Sequence, residues 1–213
     1  SPNGDLLFHN IEWVDADLLD VSGIDSAMED VEDVYHCAAM VSYNPKKSNQ
    51  MGFVNIHGTA NMVNCALGKK VKKFCHVSSI AVLGSDYNEK DISEQGYINE
   101  KPGQGTLHHN SAYALSKLAA EREVWRAAAE GLNVVIVNPG IIIGPGNWGK
   151  SSTSLLTNVW RGLKFYPPGV NGFVDARDVA RTMVLLLEKN SFNERFILVA
   201  DNLPYKEVLW QTA

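Results

Sequence analysis

The chain has 213 residues, 45% hydrophobic and 20% charged, which suits a globular protein of one large domain, or one domain plus part of another. Its net charge of −5 argues against a nucleic-acid-binding surface, which is normally basic. No apolar run approaches the roughly 20 residues that span a bilayer, and Ser1-Pro-Asn-Gly-Asp lacks the basic and apolar regions of a signal peptide. The three cysteines (Cys37, Cys65 and Cys75) show no C-x-x-C spacing, so reduced thiols in a cytoplasmic protein without a metal site are expected.

In chain order, Ile11 to Asp15 reads as a short strand and Ile24 to Glu29 as a short helix. Asp33-Val-Tyr-His-Cys-Ala-Ala39 is a second strand ending in small residues. Lys46 to Leu67 carries apolar residues near helical spacing, with Gly68 as a stop signal. Lys73-Phe-Cys-His-Val-Ser78 is a third strand, and the polar, Gly- and Asn-rich stretch from Ala81 to Asn110 is loop. A helix follows, capped by Asn110 or Ser111 and closed by Gly131. Asn133 to Asn138 is a fourth strand, ended by Pro139-Gly140. Thr153 to Leu163 reads as helix. Asp175-Ala-Arg-Asp178 opens a helix to about Lys189, because acidic residues at and after the cap suit a helix start. Arg195 to Ala200 is a fifth strand, and Asn202-Leu-Pro204 starts a last helix. Strands that alternate with helices and are apolar throughout predict a parallel sheet covered on both faces. Ligands bind such sheets outside the carboxyl ends of the strands. There His36 to Ala39, Ser78-Ser79 and Asn138 to Gly140 converge.

Within Ser111-Ala-Tyr-Ala-Leu-Ser-Lys-Leu-Ala-Ala-Glu121, Tyr113 and Lys117 are spaced to share one helix face, a turn apart. A free tyrosine titrates near pH 10, too high for acid–base work at neutrality. An adjacent ammonium favours the phenolate and lowers that value, making Tyr113 a usable acid or base. The plainer reading is a half-buried tyrosine beside a solvated lysine. Ser79 likewise reads either as a hydroxyl capping a turn or as a partner of that pair. Asp175 and Asp178 read as helix-start residues. His108 and His109 read as loop side chains pointing apart. Trp148, Phe165 and Tyr166 read as either pocket lining or packing.

The chain resembles the extended short-chain dehydrogenase/reductases, the NAD-dependent epimerase/dehydratase group that includes dihydroflavonol-reductase-like enzymes. Seven segments carry the resemblance, in order: Asp15-Ala-Asp17-Leu, His36-Cys-Ala-Ala39, Asn55-Ile-His-Gly-Thr59-Ala-Asn61, His76-Val-Ser-Ser79-Ile-Ala-Val-Leu-Gly84, the Tyr113/Lys117 pair, Asn138-Pro-Gly-Ile-Ile-Ile-Gly-Pro145 and Phe173-Val-Asp-Ala-Arg-Asp-Val-Ala180. The resemblance implies a Rossmann-like, doubly wound parallel α/β sheet with part of a smaller C-terminal substrate lobe. It implies hydride transfer between NAD or NADP and a carbonyl or hydroxyl on a small-molecule substrate, with Tyr113 moving the proton. Lys117 would lower the Tyr113 pKa and bond the cofactor ribose. Ser79 would hydrogen-bond the reacting oxygen, and Asn55 would order a water or backbone carbonyl near Lys117. Asp17 would hold the adenine amino group, while Ala38, Ala39, Pro139, Gly140 and Ile142 would border the dinucleotide. A homodimer through the helices at 46–67 and 112–130 is also implied.

Two features depart from that family pattern. The family's Gly-rich phosphate loop between a first strand and a first helix is absent, the Gly140, Gly144 and Gly146 cluster lying after the fourth strand instead, and the last helix is cut short. The expectation is therefore a piece of a longer protein that binds dinucleotide poorly alone, with NAD and NADP undistinguished. Its divisions are a partial dinucleotide-binding domain at 1–145, a substrate-lobe segment at 146–171, a return to the first domain at 172–200 and the start of the remaining lobe at 201–213. Ile80-Ala81 after Ser79, in place of an acidic pair, makes sugar dehydration a poor fit. The Gly162 to Gly172 stretch and the Ser79 strand favour the reductase-like reading over an NDP-sugar epimerase with tightly bound NAD. A non-catalytic binding or regulatory protein of the same fold is the alternative from another class.

Overall fold

The computed structural model describes residues 11–42, 44–83, 93–94, 111–145, 153–163, 165–166 and 168–212. Helix α1 (Val21–Ala27) is capped by Asp20, whose carboxylate accepts from the Ser22 amide. It leads into strand β1 (Asp33–His36). A 3₁₀ turn at Pro45–Lys47 runs into α2 (Ser48–Gly68). Strand β2 (Lys73–Val77) follows, and a second 3₁₀ turn at Ile80–Val82 sits just beyond its end. Next come α3 (Ala112–Ala129), the fully buried strand β3 (Val134–Pro139) and the short β4 (Ile141–Ile143). The rest comprises α4 (Thr153–Trp160), β5 (Val170–Asp175), α5 (Ala176–Glu188), β6 (Glu194–Leu198), β7 (Asp201–Pro204) and α6 (Tyr205–Thr212).

Four strands form one parallel sheet in the order β1-β2-β3-β6. Helices α2 and α3 pack on one face, around Val63, Phe74, Val124, Val134 and Ile136. Helix α5 covers the other, where Val179, Met183 and Leu187 meet Cys75, Val135 and Val137. This is the predicted Rossmann-like α/β arrangement. Alternating side chains send successive residues of each strand to opposite faces. His36, His76 and Ile136 stand opposite one another across β1, β2 and β3, on the α2/α3 face.

Several sequence expectations are corrected. Ile11 to Asp15 is not a strand: it is exposed, and among the described residues no strand offers it a ladder. The helix ending near residue 68 includes Gly68, and Lys70 takes the left-handed conformation at φ 56°. There the Val71 amide reaches back to the Ala66 carbonyl at 2.9 Å and Val71 is buried, a Schellman closure that Lys70 completes despite its Cβ. Gly131, by contrast, takes the expected positive φ after α3. Asn202 to Pro204 does not begin a helix. It pairs antiparallel with β5, and Pro204 is tolerated at the end of this edge strand.

The sequence reading also missed a second sheet, β4-β5-β7. The predicted division at 171/172 falls inside β5. The two sheets meet where the chain leaves β3. The Gly140 amide donates to the Leu198 carbonyl, and a Cβ on Gly140 would lie 2.3 Å from the Gly172 carbonyl oxygen. Two backbones cross there with no room for a side chain.

Candidate active site

The carboxyl ends of β1, β2 and β3 and the first two turns of α3 build the site. Ser111 starts α3 by accepting from the Ala114 amide at 3.1 Å. That places Tyr113 in the first turn, half-buried, and Lys117 one turn deeper with only 3% of its surface exposed. The Lys117 Nζ donates to the Val77 carbonyl at 2.7 Å, two residues before Ser79. Leu118, the next residue of α3, packs with Val82 and Leu83 of the turn beyond Ser79. Helix α3 is thus fixed against the segment that carries the serine. Burial is the main influence on Lys117 and pulls its pKa down to about 8, against an opposing pull from Glu121 and Cys37.

Ser79 accepts from the Ala81 amide at 3.2 Å and caps the 3₁₀ turn. The plain capping role is therefore real, and it leaves the hydroxyl proton to donate elsewhere. Asn55, 2% exposed on α2, clamps Met40 through both of its main-chain groups: the Met40 amide donates to Oδ1 at 2.7 Å, and Nδ2 donates to the Met40 carbonyl at 3.0 Å. Its Nδ2 also donates to the Ser116 Oγ, which in turn donates to the Tyr113 carbonyl. Asn55 therefore joins the loop after β1 to the first turns of α3.

Ala38 and Ala39 lie exposed beyond β1 and present little more than main chain. Pro139 ends β3, while Ile142 of β4 packs against the α5-side core. Gly140 has a packing reason for lacking a side chain, the crossing with Gly172. Asp17 is exposed and accepts from the Leu19 amide at 2.9 Å. Its turn is pinned to α2, because Asn61 donates to the Leu18 carbonyl and a Cβ on Gly58 would press on Leu18. Asp175 caps α5 and accepts from the Arg177 amide; the Arg177 side chain beside it lowers its pKa to about 2. Phe165 and Tyr166 are exposed, at 86% and 48%. Trp148, His108 and His109 lie outside the described residues.

The sequence reading missed a buried polar network behind the site. Glu121, one turn beyond Lys117, is 0% exposed. Its carboxylate accepts from the Ser78 Oγ at 2.7 Å, the Trp125 Nε1 at 3.2 Å and the Asn138 Nδ2 at 3.3 Å, and it pairs with the Arg195 guanidinium. Asn138 also donates to the Ser79 carbonyl at 3.0 Å. On the same face, His36 Nε2 meets the Thr59 hydroxyl at 3.0 Å and the His36 ring lies 5.2 Å from His76. Two signals pointed to this network: a carboxylate inside the Ala/Leu stripe of a helix, and an arginine opening an otherwise apolar strand. Each demands a buried partner.

With this geometry, comparison with known proteins is decisive for the family. The NAD dependent epimerase/dehydratase family matches residues 2–199. The chain belongs to that family. It is 29% identical over 201 residues to sterol demethylase protein B of Methylococcus capsulatus, covering 93% of this chain and 59% of that protein. It is 28% identical over 200 residues to cinnamoyl-CoA reductase 2 of Medicago truncatula, covering 91% and 58%. The crystal structure of gox2253 superposes with a TM-score of 0.83 at 28% identity, covering 95% of this chain and 61% of that one. The chain thus spans about three-fifths of the length of these relatives. Among the described residues, no helix is long and apolar enough to cross a membrane.

Proposed function

We propose that this epimerase/dehydratase-family chain carries the proton-transfer groups of an NAD(P)-dependent oxidoreductase acting on a carbonyl or hydroxyl of a small molecule. The observation that carries this reading is the buried Lys117 ammonium, held at the Val77 carbonyl one helical turn from Tyr113. A cation kept nearly dry beside a phenol strengthens its pull on the phenolate, because little water screens it. The residues present fit the nicotinamide–ribose half of a dinucleotide. Lys117 has two further N–H donors for ribose hydroxyls, and Cys37 to Ala39 leave exposed main chain at the strand end.

When bound, the cofactor supplies or accepts the hydride. Tyr113 gives or takes the proton on the substrate oxygen, and Lys117 lowers the cost of the phenolate. Ser79 donates its hydroxyl hydrogen to the same oxygen as charge develops. Asn55 holds the loop after β1 and the start of α3 in register. Asp17, Pro139, Gly140 and Ile142 take their cofactor-facing roles from the family resemblance. A reductase is favoured over an epimerase by the similarity to cinnamoyl-CoA reductase 2 and by the Ser79 strand and the Gly162 to Gly172 stretch, while Ile80-Ala81 after Ser79 is a poor fit to a dehydratase. A cytoplasmic homodimer joined through α2 and α3 completes the proposal.

The test follows absorbance at 340 nm with NADH or NADPH and a panel of carbonyl compounds, using the full-length protein. Turnover that disappears in Tyr113→Phe supports the reading, and turnover that survives in that variant overturns it.

A further inference from the structure

We propose that Glu121 and Arg195 are a positioning pair for this site, a buried ion pair that fixes the main chain carrying Ser79 and sets the charge balance around Lys117. The inference rests on the proposed function only for the use made of Ser79 and Lys117. The contacts themselves are independent of it.

Glu121 gathers groups from three elements. It takes the Ser78 hydroxyl at the end of β2, the Asn138 amide at the end of β3 and the Arg195 guanidinium of β6. Asn138 passes this hold to the Ser79 carbonyl. The side chains of the pair are 1% and 4% exposed, so neither charge is relieved by water. A neutral hydrogen-bonded core would hold Ser79 equally well. What a charged pair adds is a field at Lys117, which sits one turn from Glu121 on the same helix face.

The titratable and charged groups facing Lys117 come from every neighbouring element. Among the described residues they are Glu121 on α3, His36 and Cys37 on and after β1, His76 on β2, and Arg195 on β6 through its bond to Glu121, with Tyr113 one helical turn before Lys117 on α3. Helix α2 contributes the neutral Asn55 and Thr59 to the same region. Glu121 favours the ammonium, and the Arg195 guanidinium paired with it carries the opposite charge. Removing one member of the pair therefore leaves the other charge unbalanced beside Lys117. Glu121→Gln and Arg195→Met must displace the lysine titration in opposite directions, and a role confined to packing would not do so.

The experiment is an NMR titration of the chain carrying ¹³C at lysine Cε, with the Lys117 signal assigned by its loss in Lys117→Arg. Relative to the wild-type chain, Lys117 should titrate on the order of half a pH unit or more lower in Glu121→Gln and a similar amount higher in Arg195→Met. In the double variant it should return toward the wild-type value. An unmoved Lys117, or a shift of the same sign in both single variants, overturns the proposal. If Glu121→Gln does not fold, Arg195→Met and the double variant carry the comparison, as an upward shift and its reversal. Absence of turnover in the wild-type full-length protein would sink the oxidoreductase reading and leave this titration to decide the pair's role.

Discussion

The two faces of the four-stranded sheet are built on opposite rules. Under α5 the packing is apolar: Cys75, Val135, Val137, Val179, Met183 and Leu187 touch one another with no buried charge among them. The Cys75 thiol there is pushed up to about 12, mainly by burial. Under α2 and α3, the same strands bury His36, His76, Ser78, Asn138 and Arg195, opposite Asn55, Thr59, Ser116, Lys117 and Glu121. One face maximises apolar burial, and the other accepts desolvated polar groups, among them the residues proposed above to do chemistry. Side-chain alternation along each strand lets both rules operate within one sequence.

The difference can be broken from either side. The largest expected effect is on rate: Tyr113→Phe should lower kcat by about 10³-fold, within the range for a lost general acid–base group, while cofactor affinity stays within a few-fold. Steady-state kinetics and a cofactor titration on the full-length protein check both halves. The mirror experiment is Leu187→Ala on the apolar face, where the side chain is 1% exposed. It should lose about 3 kcal/mol in urea unfolding with kcat of the folded enzyme unchanged. Comparable losses of rate from both substitutions would erase the division of labour between the faces.

Smaller effects sharpen the comparison. Lys117 titrates at about 8 when folded, below its usual 10.5. The unfolded chain therefore binds the proton more tightly, and the folded chain gains stability as pH rises through that window. Relative to Lys117→Met, the wild type should gain about 2 kcal/mol of unfolding free energy between pH 7 and 9.5. A pH-independent difference would show that the ammonium is not desolvated. Burial likewise holds His36 down to about 4, and His76 well below its usual 6.5. Both are therefore neutral when folded, and stability should fall as pH drops from 6.5 toward 4. Among the described residues, neither ring nitrogen of His76 has a hydrogen-bond partner. Accordingly His76→Leu should stabilise by roughly 1 kcal/mol at pH 7 and flatten the acid slope, as read by denaturation at pH 5 and 7.

What could be read in the sequence divides along similar lines. The parallel strands and their helices were legible, because apolar runs and capping residues such as Ser111 and Asp175 are local signals. The Tyr113–Lys117 spacing was legible because a helix has a fixed period. The β4-β5-β7 sheet was not, since Asp201 to Pro204 owes its extended form to pairing with β5, against its own propensity. The role of Glu121 was hidden for the same reason: its partners come from β2, β3 and β6, far away in the chain. A four-residue step from Lys117 puts it on the same helix face, but only the folded strands show what that face meets.

Tyr113, Lys117 and Glu121 follow one another at four-residue steps along α3. Each step advances about 6 Å and turns about 40° beyond a full revolution, so the three groups descend as a shallow spiral from the rim into the interior. A single residue inserted between Lys117 and Glu121 would swing everything beyond it by about 100°. The carboxylate would then point away from Arg195. This stretch can exchange letters but cannot change its count, so length variation among functional homologues belongs outside these nine positions.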